Sequence, residues 1–510
     1  MAAFAKKVYL ELPKPDAADV AAGRERVLRA LPEKAVHVTY DALRELYPTL
    51  PDADYCVTVT LCPSDTGWDL IRIEPGDTHD ALYGAALDIG STNLAMELLH
   101  LPTGQVLCRR ECTNAQVALG TNILDRIFAV KQDRENLISL QRLVTDDIRA
   151  LLDACLEEAG LQSDDIAAMC VGGNTTMIHF LMGCDPWLVF QKPYTPAFYD
   201  PGIQPAQAMG LDLRCNILCL PAVANYLGGD ITAGLLMTDM DTRDDPAIFL
   251  DIGTNGELAL GCKDYLLVGA GAAGPALEGG VSKSGMRAEP GAVCRVRIDE
   301  RNELHVQTID DLPPEGICGS GIVDLIAEGY LAGWLNGDGT LNMGASARIR
   351  MVWEDESHAN IPAIVYASRA GKQLYFTQKD IAEFIRCKAA AHTMVATLLD
   401  ASGITPDQIG TFYLSGGFGT HLNLESAITV GMYPDLPRET FMILGNSSLA
   451  GAKRVLLDDA SLERIRHFVQ SATYVQFGEI DTFLENMRAA QFLPHTNASL
   501  YPSVQPLKHD

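Results

Sequence analysis

Residues 86–99 read ALDIGSTNLAMELL and residues 249–261 read FLDIGTNGELALG. In both, an apolar strand ends in Asp-Ile-Gly, a short polar turn follows, and a second apolar strand begins. A third strand is predicted after each copy, at 105–110 and 265–268. Recurrence of such a pattern indicates duplication of a whole α/β unit.

Each Asp-Ile-Gly turn has the residues that a phosphate-binding hairpin requires. Glycine lets the backbone approach a phosphate closely, turn amides can point at the anion, and an aspartate at the strand end can hold a hydrated Mg²⁺ ion. The simpler alternative is a tight β-turn with no ligand. Two copies in parallel contexts favour the phosphate interpretation.

Outside the repeat, the pattern predicts an α/β protein with a small α+β domain at its N-terminus. That domain has strands at 8–12 and 55–61, a helix containing Val27, Leu28 and Leu31, and a turn at 74–78. Glycine-punctuated strands then alternate with long helices predicted at 137–159 and 379–401. The predicted domains are 1–82, 83–235 as the first half, 236–455 as the second half, and 456–510 as a segment packing back on the core.

Composition excludes several classes of protein. The 510 residues include 39 Lys and Arg against 66 Asp and Glu, a formal charge of −27, which argues against nucleic-acid or anionic-membrane binding. The N-terminus does not resemble a secretory signal, and no window approaches the roughly 20 apolar residues of a membrane span. We therefore expect a cytoplasmic protein whose thirteen scattered cysteines are mostly reduced core residues.

Other motifs are weaker. The sequence GAGAAG at 269–274 matches a dinucleotide fingerprint, but only a short segment follows it where a long helix is required. We interpret it as a glycine-rich loop lining a nucleotide cleft. No P-loop, HExxH, GxSxG or CxxC pattern occurs. The pairs Cys108/Cys112 and Cys215/Cys219 fall on predicted strands, where the members of a pair lie too far apart for one metal ion.

Three later segments complete an ordered set. A small-residue helix is predicted at 227–235 with Asp230 near its start. A strand running into a glycine turn at 411–420 is suited to lie against a flat purine, and a second small-residue helix is predicted at 423–432. Taken singly, each is most simply helix packing or a turn.

This order resembles the superfamily of actin, sugar kinases and heat-shock ATPases, in which two ribonuclease-H-like halves surround a nucleotide cleft. Within it, the sequence is similar to the ATP-dependent reductive activators of corrinoid proteins. The similar segments include VGGNTTMIHFLMG, GICGSGIVDLIAEGYLAGW and FYLSGGFGTHLNLESAITVGMYP, and together they cover nearly the whole chain.

The resemblance implies roles for particular residues. Asp88 and Asp251 would hold magnesium-bound phosphates, and Asp230 would orient the attacking water. The residues that would cradle the phosphates are Gly90, Ser91, Thr92, Gly253, Thr254, Asn255 and Gly256. Gly416, Gly417 and Phe418 would border the adenosine, while Asn174, Thr175 and Ser320 receive no role.

The sequence also departs from the family. Such activators usually carry a ferredoxin-like domain whose plant-type cluster signature is C-x₄-C-x₂-C, and these cysteine spacings do not provide it. We therefore expect no iron–sulfur cluster in this chain. Either a separate ferredoxin-type protein is the electron donor, or a redox domain is missing from this sequence. Smaller departures occur at Ser415-Gly-Gly-Phe and Asn114-Ala-Gln, and neither is expected to touch the proposed chemistry.

The sequence thus predicts an ATPase, acting with Mg²⁺, that restores the Co(II) corrinoid of a partner methyl-transfer protein to Co(I). The resemblance leads us to expect a homodimer. Two alternatives remain open on the same fold: a small-molecule kinase, and a non-enzymatic chaperone or scaffold that uses ATP to change shape.

Overall fold

Strands and helices alternate along most of the chain, as predicted. The computed structural model describes residues 3–253, 255–271, 280, 282–354, 359–369, 371–416 and 422–505. The strands are β1 (Lys6–Glu11), β2 (Val36–Val38), β3 (Cys56–Ser64), β4 (Gly67–Pro75), β5 (Tyr83–Ile89), β6 (Asn93–His100), β7 (Gln105–Thr113), β8 (Ile166–Gly173), β9 (Ile203–Pro205), β10 (Asn216–Cys219), β11 (Ala247–Ile252), β12 (Gly256–Cys262), β13 (Tyr265–Gly271), β14 (Ala292–Ile298), β15 (Leu304–Thr308), β16 (Gly316–Ile317), β17 (Ile349–Glu354), β18 (Ala359–Arg369), β19 (Lys372–Thr377), β20 (Thr411–Ser415), β21 (Phe441–Gly445) and β22 (Ala472–Tyr474). The α-helices are α1 (Gly23–Ala30), α2 (Tyr40–Asp52), α3 (Ile123–Gln132), α4 (Glu135–Ala159), α5 (Thr175–Leu181), α6 (Trp187–Phe190), α7 (Gly229–Leu236), α8 (Gly319–Leu331), α9 (Gln378–Ser402), α10 (Leu424–Thr429), α11 (Ser447–Leu457), α12 (Ala460–Ser471) and α13 (Phe483–Ala489).

The N-terminal segment forms a four-stranded sheet of order β1-β3-β4-β2. Its core is made by the alternating apolar residues of β3 and β4 together with Val27 and Leu31 on one side of α1. Gly76, directly after β4, has φ +71°, a conformation that favours glycine and ends the strand. The predicted strands are confirmed, and so is the helix, which ends one residue before Leu31. Of the turn predicted at 74–78, Glu74 and Pro75 instead belong to β4, and the chain leaves the sheet at Gly76.

Two six-stranded sheets share an arrangement of five strands, and each adds its sixth strand at a different edge. The first has the order β7-β6-β5-β8-β10-β9, with β5 antiparallel to β6 and parallel to β8. The second has the order β21-β20-β11-β12-β13-β22, with β11 antiparallel to β12 and parallel to β20. The strand that carries each Asp-Ile-Gly is therefore the middle strand of five in both sheets, β7-β6-β5-β8-β10 and β13-β12-β11-β20-β21, which confirms the predicted duplication. The sixth strands differ, because β9 pairs with β10 and β22 pairs with β13.

Each sheet is covered by a long helix in the same position. Helix α4 packs on β6 and β7, and helix α9 packs on the corresponding strands β12 and β13. Both helices end at a glycine with φ +69°, Gly160 and Gly403, because a left-handed residue lets the chain turn away. No helix within the described ranges is long and apolar enough to cross a bilayer.

The chain divides into two compact units, each with its own buried core. The first comprises residues 1–237 and 447–471, and the second comprises 238–446 and 472–510. The predicted boundaries differ from this division, since 447–455 were expected in the second half. Residues 447–455 pack in the first unit because α11 contributes Leu449, Ala452 and Val455 to the core formed by β5 and β8.

Candidate functional site

The first Asp-Ile-Gly hairpin is a tight connection between β5 and β6. The Gly90 N–H donates to the Asn93 carbonyl at 2.9 Å and closes the turn. A Cβ atom on Gly90 would lie 2.7 Å from that carbonyl oxygen, so another residue would open the turn. Gly90, Ser91 and Thr92 form the loop itself, as predicted.

Asn114 supports this loop from behind. Its fully buried side-chain amide donates to the Gly90 carbonyl at 2.9 Å, and its backbone N–H donates to the Thr92 carbonyl at 2.9 Å. Its side-chain oxygen accepts from the Gln116 N–H at 3.0 Å, which fixes the amide's orientation. The expectation that Asn114 does not touch the proposed site is wrong, because chain topology brings the end of β7 beside this loop.

Asp88 lies at the end of β5, where a serine from a distant helix contacts it. Ser448, at the start of α11, donates its hydroxyl hydrogen to Asp88 Oδ1 at 2.7 Å. Gly172 is opposite Asp88 on the parallel strand β8, and a Cβ atom there would lie 2.4 Å from Ser448 Oγ. Glycine at 172 therefore leaves the space through which the serine reaches the carboxylate.

The second hairpin connects β11 and β12, and its Gly253 N–H donates to the Asn255 carbonyl at 2.9 Å. Ser415 is opposite Asp251 on β20 and donates to Asp251 Oδ2 at 2.9 Å. The expectation that Ser415 does not touch the site is therefore also wrong. Gly416 has φ +92°, and a Cβ atom there would lie 2.7 Å from Asp251 Oδ1.

A second carboxylate lies beside Asp251. Glu257 is its direct cross-strand partner on β12, so both side chains extend from the same face of the sheet, and Glu257 is buried. The corresponding partner of Asp88 is Ala95. Sequence reasoning missed Glu257, although its place in the second copy of the repeat could have indicated it.

Asp230 lies in the first turn of α7, as predicted, and its carboxylate accepts from the Ile231 N–H at 2.8 Å. Helix α7 begins close to the carboxyl end of β8, because Gly228 packs against Gly173 and Asn174 with no room for a Cβ atom. Ligands of open α/β sheets bind at this edge. Asp230 therefore belongs to the same sheet edge as Asp88.

The predicted residues divide between the units. The first unit contains Asp88, Gly90, Ser91, Thr92 and Asp230. The second contains Asp251, Gly253, Asn255, Gly256 and Gly416. The predicted residues Thr254, Gly417 and Phe418 lie outside the described residues.

The three polar residues left without a role have structural partners. Asn174 caps α5 by accepting from the Met177 N–H at 3.0 Å, and Thr175 donates to the Ala224 carbonyl at 2.9 Å. Ser320, in the first turn of α8, donates to the Cys294 carbonyl at 3.2 Å. These contacts account for the residues through helix capping and packing.

The first two glycines of the GAGAAG motif belong to a strand. Gly269 and Gly271 are in β13, which continues three residues beyond the predicted end at 268. Cβ atoms at these positions would lie 2.3 Å from the Phe477 ring and 2.5 Å from Met394 Sδ, so packing requires both glycines. The last three residues of the motif lie outside the described residues.

The cysteines are free thiols, and most are buried. Cys108 and Cys112 are on β7, as predicted, and burial raises the pKa of Cys112 to about 11. Within the described ranges no group of three or more His, Cys, Asp or Glu side chains is placed to hold a metal ion.

The carboxylates and turns fit a magnesium-bound nucleotide. Asp88 and Asp251 supply the oxygen ligands that Mg²⁺ prefers, and each is oriented by a serine hydroxyl. Each is followed by a glycine turn that lets a phosphate approach the backbone. Each hairpin, taken by itself, therefore has the residue types that suit a hydrated Mg²⁺ ion with phosphates.

Comparisons with known proteins identify the family. Three family models match consecutive parts of the chain: the RACo linker region at 1–80, the RACo middle region at 83–243, and the C-terminal domain of RACo, the ASKHA domain, at 245–505. The solved structure of a reductive activator for corrinoid, iron–sulfur protein superimposes with a TM-score of 0.90 and is 35% identical, covering 99% of this chain and 81% of that one.

Two curated relatives cover most of the chain. The corrinoid activation enzyme RamQ of Eubacterium limosum is 28% identical over 433 residues, which is 81% of this chain and 71% of RamQ. The [Co(II) methylated amine-specific corrinoid protein] reductase of Methanosarcina barkeri is 24% identical over 434 residues, 77% of this chain and 73% of the reductase. The chain therefore belongs to the RACo family, the reductive activators of corrinoid proteins, and has that family's actin-like ATPase fold.

Proposed function

We propose that this chain is an ATPase that drives reduction of a Co(II) corrinoid, bound to a partner methyl-transfer protein, to Co(I). The observation that carries the proposal is the family match along nearly the whole chain together with two serine-anchored Asp-Ile-Gly hairpins. By their names, one curated relative is a corrinoid activation enzyme and the other is a reductase of a Co(II) corrinoid protein.

The proposed chemistry assigns a task to each hairpin. Asp88 and Asp251 would bind Mg²⁺, directly or through water, and the loop amides at 90–92 and 253–256 would bind the phosphates. Asp230 would orient the attacking water, and residues 416–418 would border the adenosine. Magnesium, when bound, neutralises charge on the phosphates, so the protein's contribution is mainly positioning.

Reduction of Co(II) to Co(I) is uphill for ordinary biological donors, so the reaction needs a source of free energy. One electron from the donor converts one Co(II) to Co(I), and water cleaves the terminal phosphate of ATP to give ADP and phosphate. ATP can favour reduction if the nucleotide-bound states of the activator differ in affinity for the Co(II) and Co(I) forms of the partner.

A reconstituted assay tests the proposal. The chain is mixed with a Co(II) corrinoid methyl-transfer protein, a reduced ferredoxin-type donor and Mg-ATP, and the Co(I) absorption band is followed. We expect Co(I) to form faster with the chain and ATP than without either. Equal rates without the chain or without ATP would refute the activator function, and phosphate transfer from ATP to a small acceptor would favour a kinase.

We also propose that the electron donor is a separate ferredoxin-type protein, because the cysteine spacing does not fit the plant-type cluster. Iron analysis and a visible spectrum of the purified chain test this, and stoichiometric iron would contradict it.

We further propose that the chain forms a homodimer and acts in the cytoplasm. Light scattering of the chain as purified tests the dimer, and a mass near 55.2 kDa would indicate a monomer.

A further inference from the structure

The carbonyls of Gly90, Ser91 and Thr92 in the first hairpin each accept a hydrogen bond from another part of the first unit. The Asn114 side-chain amide donates to the Gly90 carbonyl, and the Asn114 backbone N–H donates to the Thr92 carbonyl, at 2.9 Å each. Arg126, on α3, donates from Nη2 to the Ser91 carbonyl at 2.6 Å. Hydrogen bonds from Asn114 and Arg126 thus fix the peptide groups that contain the carbonyls of residues 90–92.

This backing determines where the loop amides point. In a trans peptide the N–H is directed opposite to the C=O of the preceding residue, and the peptide bonds here are trans. Fixing the carbonyls of residues 90–92 therefore also fixes the directions of the N–H groups of residues 91–93, each opposite to the preceding carbonyl. Successive N–H groups on one side of a loop form an anion-binding concavity.

The guanidinium that backs the loop is fully buried and touches only neutral groups. Besides Ser91, it donates to the Gly120 carbonyl at 2.9 Å, to Gln116 Oε1 at 3.3 Å, and contacts Met177 Sδ at 3.5 Å. Burial lowers the pKa of Arg126 to about 10, so the side chain stays charged at neutral pH.

The described part of the chain provides Arg126 with no ion-pair partner. The neighbouring carboxylate, Asp125, accepts hydrogen bonds from the side chains of Thr121 and Asn122 instead. A buried cation without a counter-charge is costly, and an anion held nearby reduces that cost. The loop that Arg126 supports is the part of the proposed phosphate site next to this charge.

We propose that Arg126 is a positioning residue that orients the first phosphate hairpin and supplies the buried positive charge that favours a polyphosphate over an uncharged ligand. The inference rests on the proposed nucleotide function and specifies which side chain makes this hairpin selective for anions. Gly120 permits the arrangement, since a Cβ atom there would lie 2.8 Å from the backbone nitrogen of Arg126.

The test compares ATP, with magnesium, and adenosine as probes in calorimetric titrations of the full chain. Arg126→Met should weaken ATP binding about tenfold or more, the value of a lost charge-assisted contact, and leave adenosine binding within about twofold. Arg126→Lys keeps the charge but loses the planar fork, so its ATP affinity should be intermediate. Arg142→Gln removes an exposed charge from α4 and is the matched control for net charge.

The outcomes separate the inference from the function on which it rests. A selective loss of ATP affinity in Arg126→Met with little change in Arg142→Gln supports the inference. Unchanged ATP affinity, or equal loss of ATP and adenosine binding, overturns it. If Arg126→Met does not fold, the same comparison in Arg126→Lys decides. Absence of ATP binding in the unaltered chain would instead refute the proposed nucleotide function.

Discussion

The two Asp-Ile-Gly hairpins have the same place in their sheets but are anchored differently. Asp88 is held by Ser448, 360 positions away along the chain, whereas Asp251 is held by Ser415 on the adjacent strand. The first loop has four residues between the paired positions Ile89 and Leu94, and the second has three between Ile252 and Gly256. The two halves therefore share the backbone arrangement and the aspartate, while the serines that contact the aspartate come from different parts of the fold.

The units also differ in the place of the cation that is buried completely. Arg126 in the first unit supports a loop that we propose to bind phosphate. Lys388 in the second unit is fully buried on α9 and donates to the carbonyls of Phe492 and Pro494, which attach the C-terminal segment to that helix. One buried charge thus lies at the proposed ligand site, and the other joins two parts of the fold.

Removing the two aspartate charges one at a time should give the largest effects. Asp251→Asn should lower ATP hydrolysis by about 10²–10³-fold, because charge is lost beside the metal without a change in volume. Asp88→Asn should lower the rate of ATP hydrolysis by a smaller factor if Asp251 also has a catalytic role. Both asparagines can still accept from their serines, so the folds should persist.

Steady-state phosphate release and circular dichroism check these two variants. Asp153→Asn, an exposed position on α4, serves as the control and should retain the unaltered rate. A larger loss in Asp88→Asn than in Asp251→Asn would reverse the assignment of the leading carboxylate. Equal losses would show that the hairpins contribute equally despite their different anchors.

The buried cations should give the two units different pH dependences of stability. Burial lowers the pKa of Lys388 to about 7 from its ordinary 10.5, so between these values the unfolded chain binds more protons than the folded chain. The free energy of unfolding should therefore rise from pH 7 to pH 10.5, by an amount on the order of a few kcal/mol, and this contribution should be constant below pH 7. The pKa of Arg126, at about 10, leaves its charge unchanged over most of this range.

Urea unfolding of the full chain between pH 6 and pH 10 measures the effect. The Lys388→Met variant should lose the rise that the unaltered chain shows, and Arg142→Gln should keep it. The same rise in Lys388→Met would mean that other groups cause it.

Burial also lowers the pKa of His392 to about 3, so a separate loss of stability is expected as the pH falls below 6.5.

Removing each serine anchor should have the smallest effect. Ser415→Ala and Ser448→Ala each delete one hydrogen bond to a carboxylate, which is worth about 1.5–3 kcal/mol. We expect about a tenfold loss of hydrolysis at most in either variant, together with a modest fall in the unfolding temperature. Phosphate release and thermal melts measure both, and Ser471→Ala on α12, which bonds only to carbonyls of its own helix, is the control.

A difference between the two serine variants would sharpen the comparison. A loss of ATP hydrolysis in Ser415→Ala but not in Ser448→Ala would show that hydrolysis depends on the serine that contacts Asp251 and not on the one that contacts Asp88. No loss in either variant would mean that the backbone alone orients both carboxylates, and the distinction between the anchors would have no functional meaning.

The sequence by itself determined the repeated architecture and the positions of both aspartates. Alternating apolar residues predict strands, the 3.6-residue periodicity predicts α4 and α9, and glycine after Asp-Ile predicts each tight turn. These features are local, because each depends on which residues within one element face the core or permit an unusual backbone angle. The family resemblance added the nucleotide roles of residues such as Asp230, which remain proposals.

Only the tertiary structure decided which side chains support those aspartates. Nothing near Asp88 in the sequence indicates Ser448, and nothing in the Asn114 or Arg126 segments indicates that they bind the carbonyls of residues 90–92. Likewise Gly269 and Gly271 matched a ligand motif, yet the space that they leave is filled by Phe477 and Met394. The physical reason is that a hydrogen bond or a close packing contact between remote residues depends on how the chain crosses itself, and local periodicity contains no record of that crossing.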